Sequence, residues 1–247
     1  MAWKALASQL QRAKPSVPAG SRVYAVGDVH GRADLLRAVF TRIDGDLNAR
    51  PVAKPIQVFI GDYIDRGPHS REVVELLIAR GREHNAQFLK GNHEAYAVRF
   101  LTDPAVLAEW KYVGGINTLL SYGVKPGGGD DQQSQREAAI AFDRAIPDSH
   151  RQFIQGLKLS FTHGDFFFVH AGVRPGTPLQ KQLEHDLLWI REDFLLHEEP
   201  FGKIVVHGHT PVREPEIRPN RINIDTGAFA TGRLTCLVLE DERISFL

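Results

Sequence analysis

The sequence predicts an α/β protein with mixed α+β features, built as two stacked mixed β-sheets flanked by helices. Three apolar runs are each followed by a charged, glycine-containing turn and then by a stretch of helical periodicity, which is the pattern of parallel strands with helices packed on them. The last third of the chain alternates short apolar runs with turns instead, the pattern of paired strands. With 43% hydrophobic residues in 247, the chain can bury a real core, whether as one large domain or as two small ones.

The opening stretch "MAWKALASQLQRAKPSVPAG" is assigned as an N-terminal extension, residues 1–20, with the pattern of a short amphipathic helix and a Pro/Gly linker. Charges at Lys4, Arg12 and Lys14 leave no apolar core for a secretion signal, and no segment of the chain is apolar for long enough to span a bilayer. A cytoplasmic location is expected. One domain is expected over residues 21–247.

The first unit is "RVYAV", the turn "GDVHG", and a helix with Leu35, Leu36, Val39, Phe40 and Ile43 on one face. The second is "IQVFI", "GDYIDRG", and a helix with Ser70 as N-cap and Gly81 as stop. The third is "AQFLK", "GNHE" and "AYAVRFL". In such sheets ligands gather beyond the carboxyl ends of the strands, where all three charged turns fall. Residues 95–156 are mostly helical in pattern and are expected to form a lid or insertion, interrupted by a polar loop over 126–137. Then "KLSFTHGDFFFVHAG" signals a hairpin, and "KIVV", "INIDTGAF", "LTCLVLE" and "RISFL" follow as strands of an antiparallel-rich region.

Charge and cysteine content narrow the partners. Thirty basic residues balance thirty acidic ones, so no net field favours nucleic acid or an anionic membrane, and neither is expected as a partner. The single cysteine, Cys236, lies in an apolar run and cannot form an internal disulfide.

Polar residues at the strand ends carry the chemistry: Asp28, His30, Asp62, Asn92, His93, His170, His207 and His209. Oxygen and imidazole donors without thiolate suit manganese, iron, zinc or magnesium. Two carboxylates with several imidazoles exceed what one ion needs, and this is the composition of a two-metal phosphoesterase site.

"GDVHG", "GDYIDRG", "GNHE", "HAG" and "GHTP" occur in the order seen in the calcineurin-like metallophosphoesterases, and the chain resembles their phosphoprotein-phosphatase branch over roughly residues 22–235. "HAGV", "LLWIRE" and the short length are similar to its bacterial members. The resemblance implies that Asp28 and His30 hold a first metal, that Asp62 bridges, and that Asn92, His170 and His209 hold a second. It implies two divalent ions, with manganese favoured over iron or zinc. His93 and Asp65 match the family's acid pair, with His93 facing the leaving group. Arg66 and Arg191 match the arginines that grip the phosphoryl group, beside Asn92. Ile64 stands where valine is more usual, an apolar swap of no consequence.

What the resemblance implies is hydrolysis of phosphomonoesters by in-line attack of a metal-bridging hydroxide, with a serine/threonine protein phosphatase as the favoured reading. Its substrate would be a phosphorylated protein or a small phosphoester. A dinucleoside polyphosphate hydrolase, diadenosine tetraphosphate hydrolase in particular, shares every catalytic motif. A binding scaffold that lost catalysis is disfavoured, since His93 and all six ligands are present.

Blander roles are expected elsewhere. His207 lies two residues before His209 and is expected to support a ligand or the structure rather than bind metal. His69, His84, His150, His163, His185 and His197 lack ligand spacing and are expected at the surface. Asp186 and Asp225 are expected to cap or support, and Trp189 and Phe166 to Phe168 to be core.

Overall fold

The computed structural model describes residues 14–127 and 131–247. Most of the N-terminal extension, including its expected helix, lies outside the described residues. Among the described residues the strands form two five-stranded sheets.

The first sheet grows from the three leading strand–turn–helix units. Strand β1 (Ser21–Val26) leads to helix α1 (Ala33–Ala49), β2 (Lys54–Phe59) to α2 (Ser70–Glu83), and β3 (Ala86–Phe88) to α3 (Asn92–Phe100). The three strands run parallel, as expected, with Val23 opposite Ile56 and Val58 opposite Gln87. The last two strands, β9 (Cys236–Glu240) and β10 (Arg243–Phe246), complete this sheet antiparallel to β1, in the order β10-β9-β1-β2-β3.

Alternation along the strands explains the layering. Val23, Ala25, Val58, Leu237 and Leu239 face the second sheet, while Tyr24, Val26, Phe59, Cys236 and Val238 face helices. Those helices include α4 (Leu107–Trp110), α5 (Gly115–Ser121), α6 (Gln132–Ala145) and α7 (Asp148–Gln155). Trp110, Leu119, Phe142 and Ile154 from this group join the same buried cluster as Leu36 and Leu77.

The second sheet comprises β4 (Ser160–His163), β5 (Phe166–Val169), β6 (Ile204–His207), β7 (Glu216–Ile217) and β8 (Arg221–Asn223), in the order β4-β5-β6-β8-β7. Phe166, Phe168, Val206 and Ile222 pack on the first sheet. Phe167, Val169 and Val205 pack outward on Leu187 of α8 (Glu184–Trp189) and Phe194 of α9 (Glu192–Leu195). No helix among the described residues is long and apolar enough to cross a membrane.

Four expectations are corrected. The second half is less antiparallel than expected: the hairpin β4–β5 is there, but β5, β6 and β8 are parallel neighbours, with α8 and α9 between β5 and β6 and the short strand β7 between β6 and β8. Residues 132–137, expected as loop, are the start of α6, because Asp131 caps it by accepting from the Ser134 amide at 3.0 Å. Gly81 does not stop α2, which continues to Glu83; it is the place where the Phe88 ring lies against the helix. Ser70 is the first helical residue rather than the cap, and its hydroxyl accepts from the Asp65 amide at 3.0 Å.

Candidate active site

The turns after β1, β2, β3, β5 and β6 converge at one end of the two sheets. Five of the six non-glycine residues with positive φ among the described residues are here: His30, Asp62, Asp65, Arg66 and His209. The left-handed backbone at each turns the chain sharply where a strand ends and aims the side chain back across the strand tips. Gly61, at φ +106°, lets the second turn lie against the backbone of Lys90 and Gly91, where any side chain would collide.

Asp62 is the centre of this site. It is 2% exposed, and its Oδ2 lies 3.6 Å from Nε2 of both His30 and His93, while Oδ1 lies 3.4 Å from Nε2 of His170. Burial pushes its pKa up, but His170, His93, His30 and His209 outweigh burial and hold it below the usual carboxylate range. Two groups of ligand atoms, each within 4.8 Å, share it: His30, Asp62 and His93; and Asp62, His170 and His209.

The surrounding donors are oriented by backbone. His30 Nδ1 bonds to the Ile64 carbonyl at 3.0 Å and His170 Nδ1 to that of Ile60 at 3.1 Å, which leaves each Nε2 facing inward. Asn92, first residue of α3, places Oδ1 2.9 Å from both His170 Nε2 and His209 Nδ1. Burial lowers the pKa of His30 to about 3 and that of His209 to about 2, so both are neutral and able to ligate.

Asp28 stands beside this group rather than in it. Its Oδ2 accepts from the His209 amide at 3.1 Å, and its Oδ1 is buried with no partner, as is His209 Nε2. Burial, then Asp225 and Asp62, push the Asp28 carboxyl well up. Unpaired buried lone pairs of this kind are costly, and divalent cations would supply the missing partner. The donor set therefore fits two such ions. Nδ1 of His93 is committed too, but to a carboxylate, where those of His30 and His170 meet backbone carbonyls.

That commitment is to Asp65. His93 Nδ1 lies 2.7 Å from Asp65 Oδ2, which also accepts from Trp110 Nε1 at 2.6 Å, while Thr118 Oγ1 donates to Oδ1 at 2.5 Å. Burial lowers the His93 pKa, but Asp62 and Asp65 more than reverse this, so it is raised overall. Arg66 approaches the same pocket with its guanidinium 4.7 Å from the Phe229 ring centroid, and its carbonyl accepts from Asn117. Arg191 is exposed at the rim and donates to Thr210 Oγ1 at 3.1 Å.

Glu94 was not nominated from sequence. It is fully buried; Oε2 accepts from the amides of Asp62 and Gly91 at 2.9 Å, and Oε1 from those of Tyr63 at 2.8 Å and Ile64 at 3.3 Å. One carboxylate thus ties the second charged turn to the third. A glutamate three residues after Gly91, at the start of a helix, was the available signal.

The bland assignments divide. His207 and His209 do not face the same way, because β6 ends at His207 and positive φ at His209 turns the chain. His207 is buried edge-on to Phe194 at 4.9 Å, with its pKa lowered to about 3 by burial. His150 is not a surface residue: it is 3% exposed and bonds to the Tyr122 hydroxyl at 2.9 Å. His163 bonds to Ser21 Oγ at 2.9 Å. Asp186 pairs with Arg174 at 2.6 Å, and Asp225 accepts from the Gly227 amide at 2.9 Å. Trp189 is half-buried rather than core, edge-on to Tyr96 at 5.3 Å and to His209 at 6.3 Å.

A site of clustered imidazoles and carboxylates at converging strand ends is matched by a family description. The calcineurin-like phosphoesterase family covers residues 21–236, and the chain belongs to that family. Among curated proteins it is similar to asymmetrical bis(5′-nucleosyl)-tetraphosphatases. The one from Halalkalibacterium halodurans is 27% identical over 86% of this chain and 87% of its own length, and the one from Anoxybacillus flavithermus is 25% identical over 86% and 88%.

Among solved structures, one whose description proposes it as a diadenosine tetraphosphatase aligns with a TM-score of 0.62 at 20% identity, over 95% of this chain and 98% of its own. A protein serine/threonine phosphatase from Saccharomyces cerevisiae aligns at 0.58 with 15% identity, over 100% and 87%. These two likenesses show the fold.

Proposed function

We propose that this chain is a metal-dependent hydrolase of dinucleoside tetraphosphates, diadenosine tetraphosphate in particular. The observation that carries the substrate class is that curated relatives named for it match along most of both chains. The sequence alone favoured a serine/threonine protein phosphatase, on overall length and "LLWIRE". Length and one motif at the rim are weaker ground than relatives that match along most of both chains.

Asp28, His30 and Asp62 would hold one ion, and Asp62, Asn92, His170 and His209 the other. The ions would supply Lewis acidity and a nucleophile from water at neutral pH. Arg66 and Arg191 would grip the phosphoryl oxygens, since each guanidinium offers paired donors that match them. Asn92 would lie beside the same oxygens. His93 would give its Nε2 proton to the leaving oxygen as that P–O bond breaks and a new one forms to the oxygen of water. Asp65 would hold the His93 ring in place and its charge on. Trp110 and Thr118 would make the helical segment 95–156 the support of that pair rather than a lid.

Parallel turnover of diadenosine tetraphosphate and of a phosphothreonine peptide, with added manganese, tests the substrate class. A higher kcat/KM for the dinucleotide is expected, with a nucleoside monophosphate and a nucleoside triphosphate as products of asymmetric cleavage. A higher value for the peptide would overturn it and return the phosphatase reading.

A further inference from the structure

Phe229 is a large apolar side chain left 39% exposed beside Arg66 and His30 of the site. Exposed aromatics scattered singly are ordinary, so exposure alone says little. Its neighbours say more. Arg66 covers one part of the ring at 4.7 Å, and His30 meets it edge-on at 5.6 Å and 84°.

The ring is also held in place. It sits on the short helix α10 (Ala228–Thr231), where Arg32 Nη1 donates to the Ala228 carbonyl at 3.0 Å and Thr231 Oγ1 to that of Thr226 at 2.8 Å. Arg32 is itself fixed by both oxygens of Asp34. A fixed aromatic surface, open to solvent and adjoining a cation that suits phosphate, is matched by a ligand that joins a planar apolar ring to a phosphate through a short polar link. A nucleotide has that form, with one ribose between base and phosphate.

We propose that Phe229 is a specificity-determining residue whose open surface stacks on a nucleobase of the substrate while Arg66 takes the adjoining phosphate. This rests on the dinucleotide reading above and names the residue that would recognise the base. The competing role, in which Phe229 only steadies Arg66 through the cation–π contact, affects phosphate with and without a base alike.

The test is inhibition of p-nitrophenyl phosphate hydrolysis by adenosine 5′-monophosphate and by inorganic phosphate, in wild type, Phe229→Ala, Phe229→Leu and Phe229→Tyr. The readout is the ratio of the two inhibition constants, which cancels any general disturbance of Arg66. Base–aromatic stacking predicts that wild type binds the nucleotide more tightly than phosphate. The preference should fall by about 5- to 100-fold in the Ala and Leu variants and persist in the Tyr variant. Leu keeps most of the volume, so loss of the preference in folded Leu protein is not loss of packing.

A wild type without the preference, or a ratio unchanged in Ala and Leu, would overturn the proposal. Failure of the dinucleotide reading shows elsewhere, as a phosphopeptide kcat/KM above that for diadenosine tetraphosphate in wild type.

Discussion

His93 Nδ1 and Asp65 Oδ2 are 2.7 Å apart, and neither residue exposes more than 1% of its surface. A histidine bound this way has one ring nitrogen committed and the other, Nε2, free to face the reacting group. His93→Asn should lower kcat by about two to four orders of magnitude on alkyl phosphates, as for loss of a general acid. The loss should be smaller on aryl phosphates, whose leaving groups depart without a proton. Metal content by elemental analysis should stay near wild type. An equal loss on both ester types would remove His93 from that role.

Trp110 sits 45 residues from Asp65 in sequence and gives it an indole N–H at 2.6 Å. Trp110→Phe keeps most of the ring and deletes the donor. Stability should fall by about 1.5–3 kcal/mol, the range for hydrogen bonds to charged groups, and kcat should fall with it. Thermal melts and turnover of the same preparation read both. A variant with wild-type stability and turnover would mean that Asp65 does not depend on the helical segment.

Asp62 joins the two ligand groups, so Asp62→Asn should weaken metal binding at both sites together. Wild type should retain two divalent ions per chain, and chelation should abolish turnover and lower the Tm, since bound ions stabilise only the folded state. Elemental analysis and melting with and without chelator are the measurements. Full activity with a single tightly bound ion would contradict the shared role.

Far from the site, Asp46 accepts from the Tyr24 hydroxyl at 2.6 Å, from Arg22 at 3.1 Å and from Arg50 at 2.7 Å. Burial pushes its pKa up, but Tyr24, Arg50 and Arg22 more than reverse that, so the folded value is depressed. A depressed value means stability present above the unfolded pKa of about 3.9 and lost as pH falls through the folded one. Asp46→Asn should therefore cost about 1 kcal/mol near pH 7, because Arg22 keeps Glu240 at 2.5 Å and the Arg50 carbonyl at 2.7 Å, and less below about pH 4. Tm against pH for both proteins tests this; a penalty constant with pH would reject it.

Cys236 is fully buried in β9 and its thiol is pushed up to about 12 by burial. It should resist thiol reagents at pH 8 in the folded protein and react fully in denaturant. Cys236→Ala should keep its kcat, because the hydrolysis proposed above needs no covalent phosphoenzyme. Trapping a phosphorylated cysteine during turnover would defeat this.

The strand-and-turn half of the molecule was legible because its signals are local. An apolar run, a glycine-bounded turn and a helical period placed β1, β2 and β3 and brought Asp28, Asp62 and Asn92 to one edge. The supports were not legible, since nothing near Asp65 in sequence points to Trp110 or Thr118; only packing of the helical segment brings them there. Parallel pairing of β5, β6 and β8 was missed because short apolar runs look alike in either direction. His207 and His209 were separated by one backbone angle, which period-2 alternation cannot foresee once a strand has ended. The start of α6 was hidden by a glycine-rich run that drew the eye past Asp131 as a cap.

The left-handed turns at His30, Asp62, Asp65, Arg66 and His209 set fold stability against the function proposed for them. Such conformations cost roughly 1–3 kcal/mol each in a non-glycine residue, and glycine at any of the five would relieve that strain. A laboratory selection for thermal tolerance alone would thus be drawn toward glycine first at Arg66, since at His30, Asp62, Asp65 and His209 the same change would also forfeit bound ions or buried hydrogen bonds.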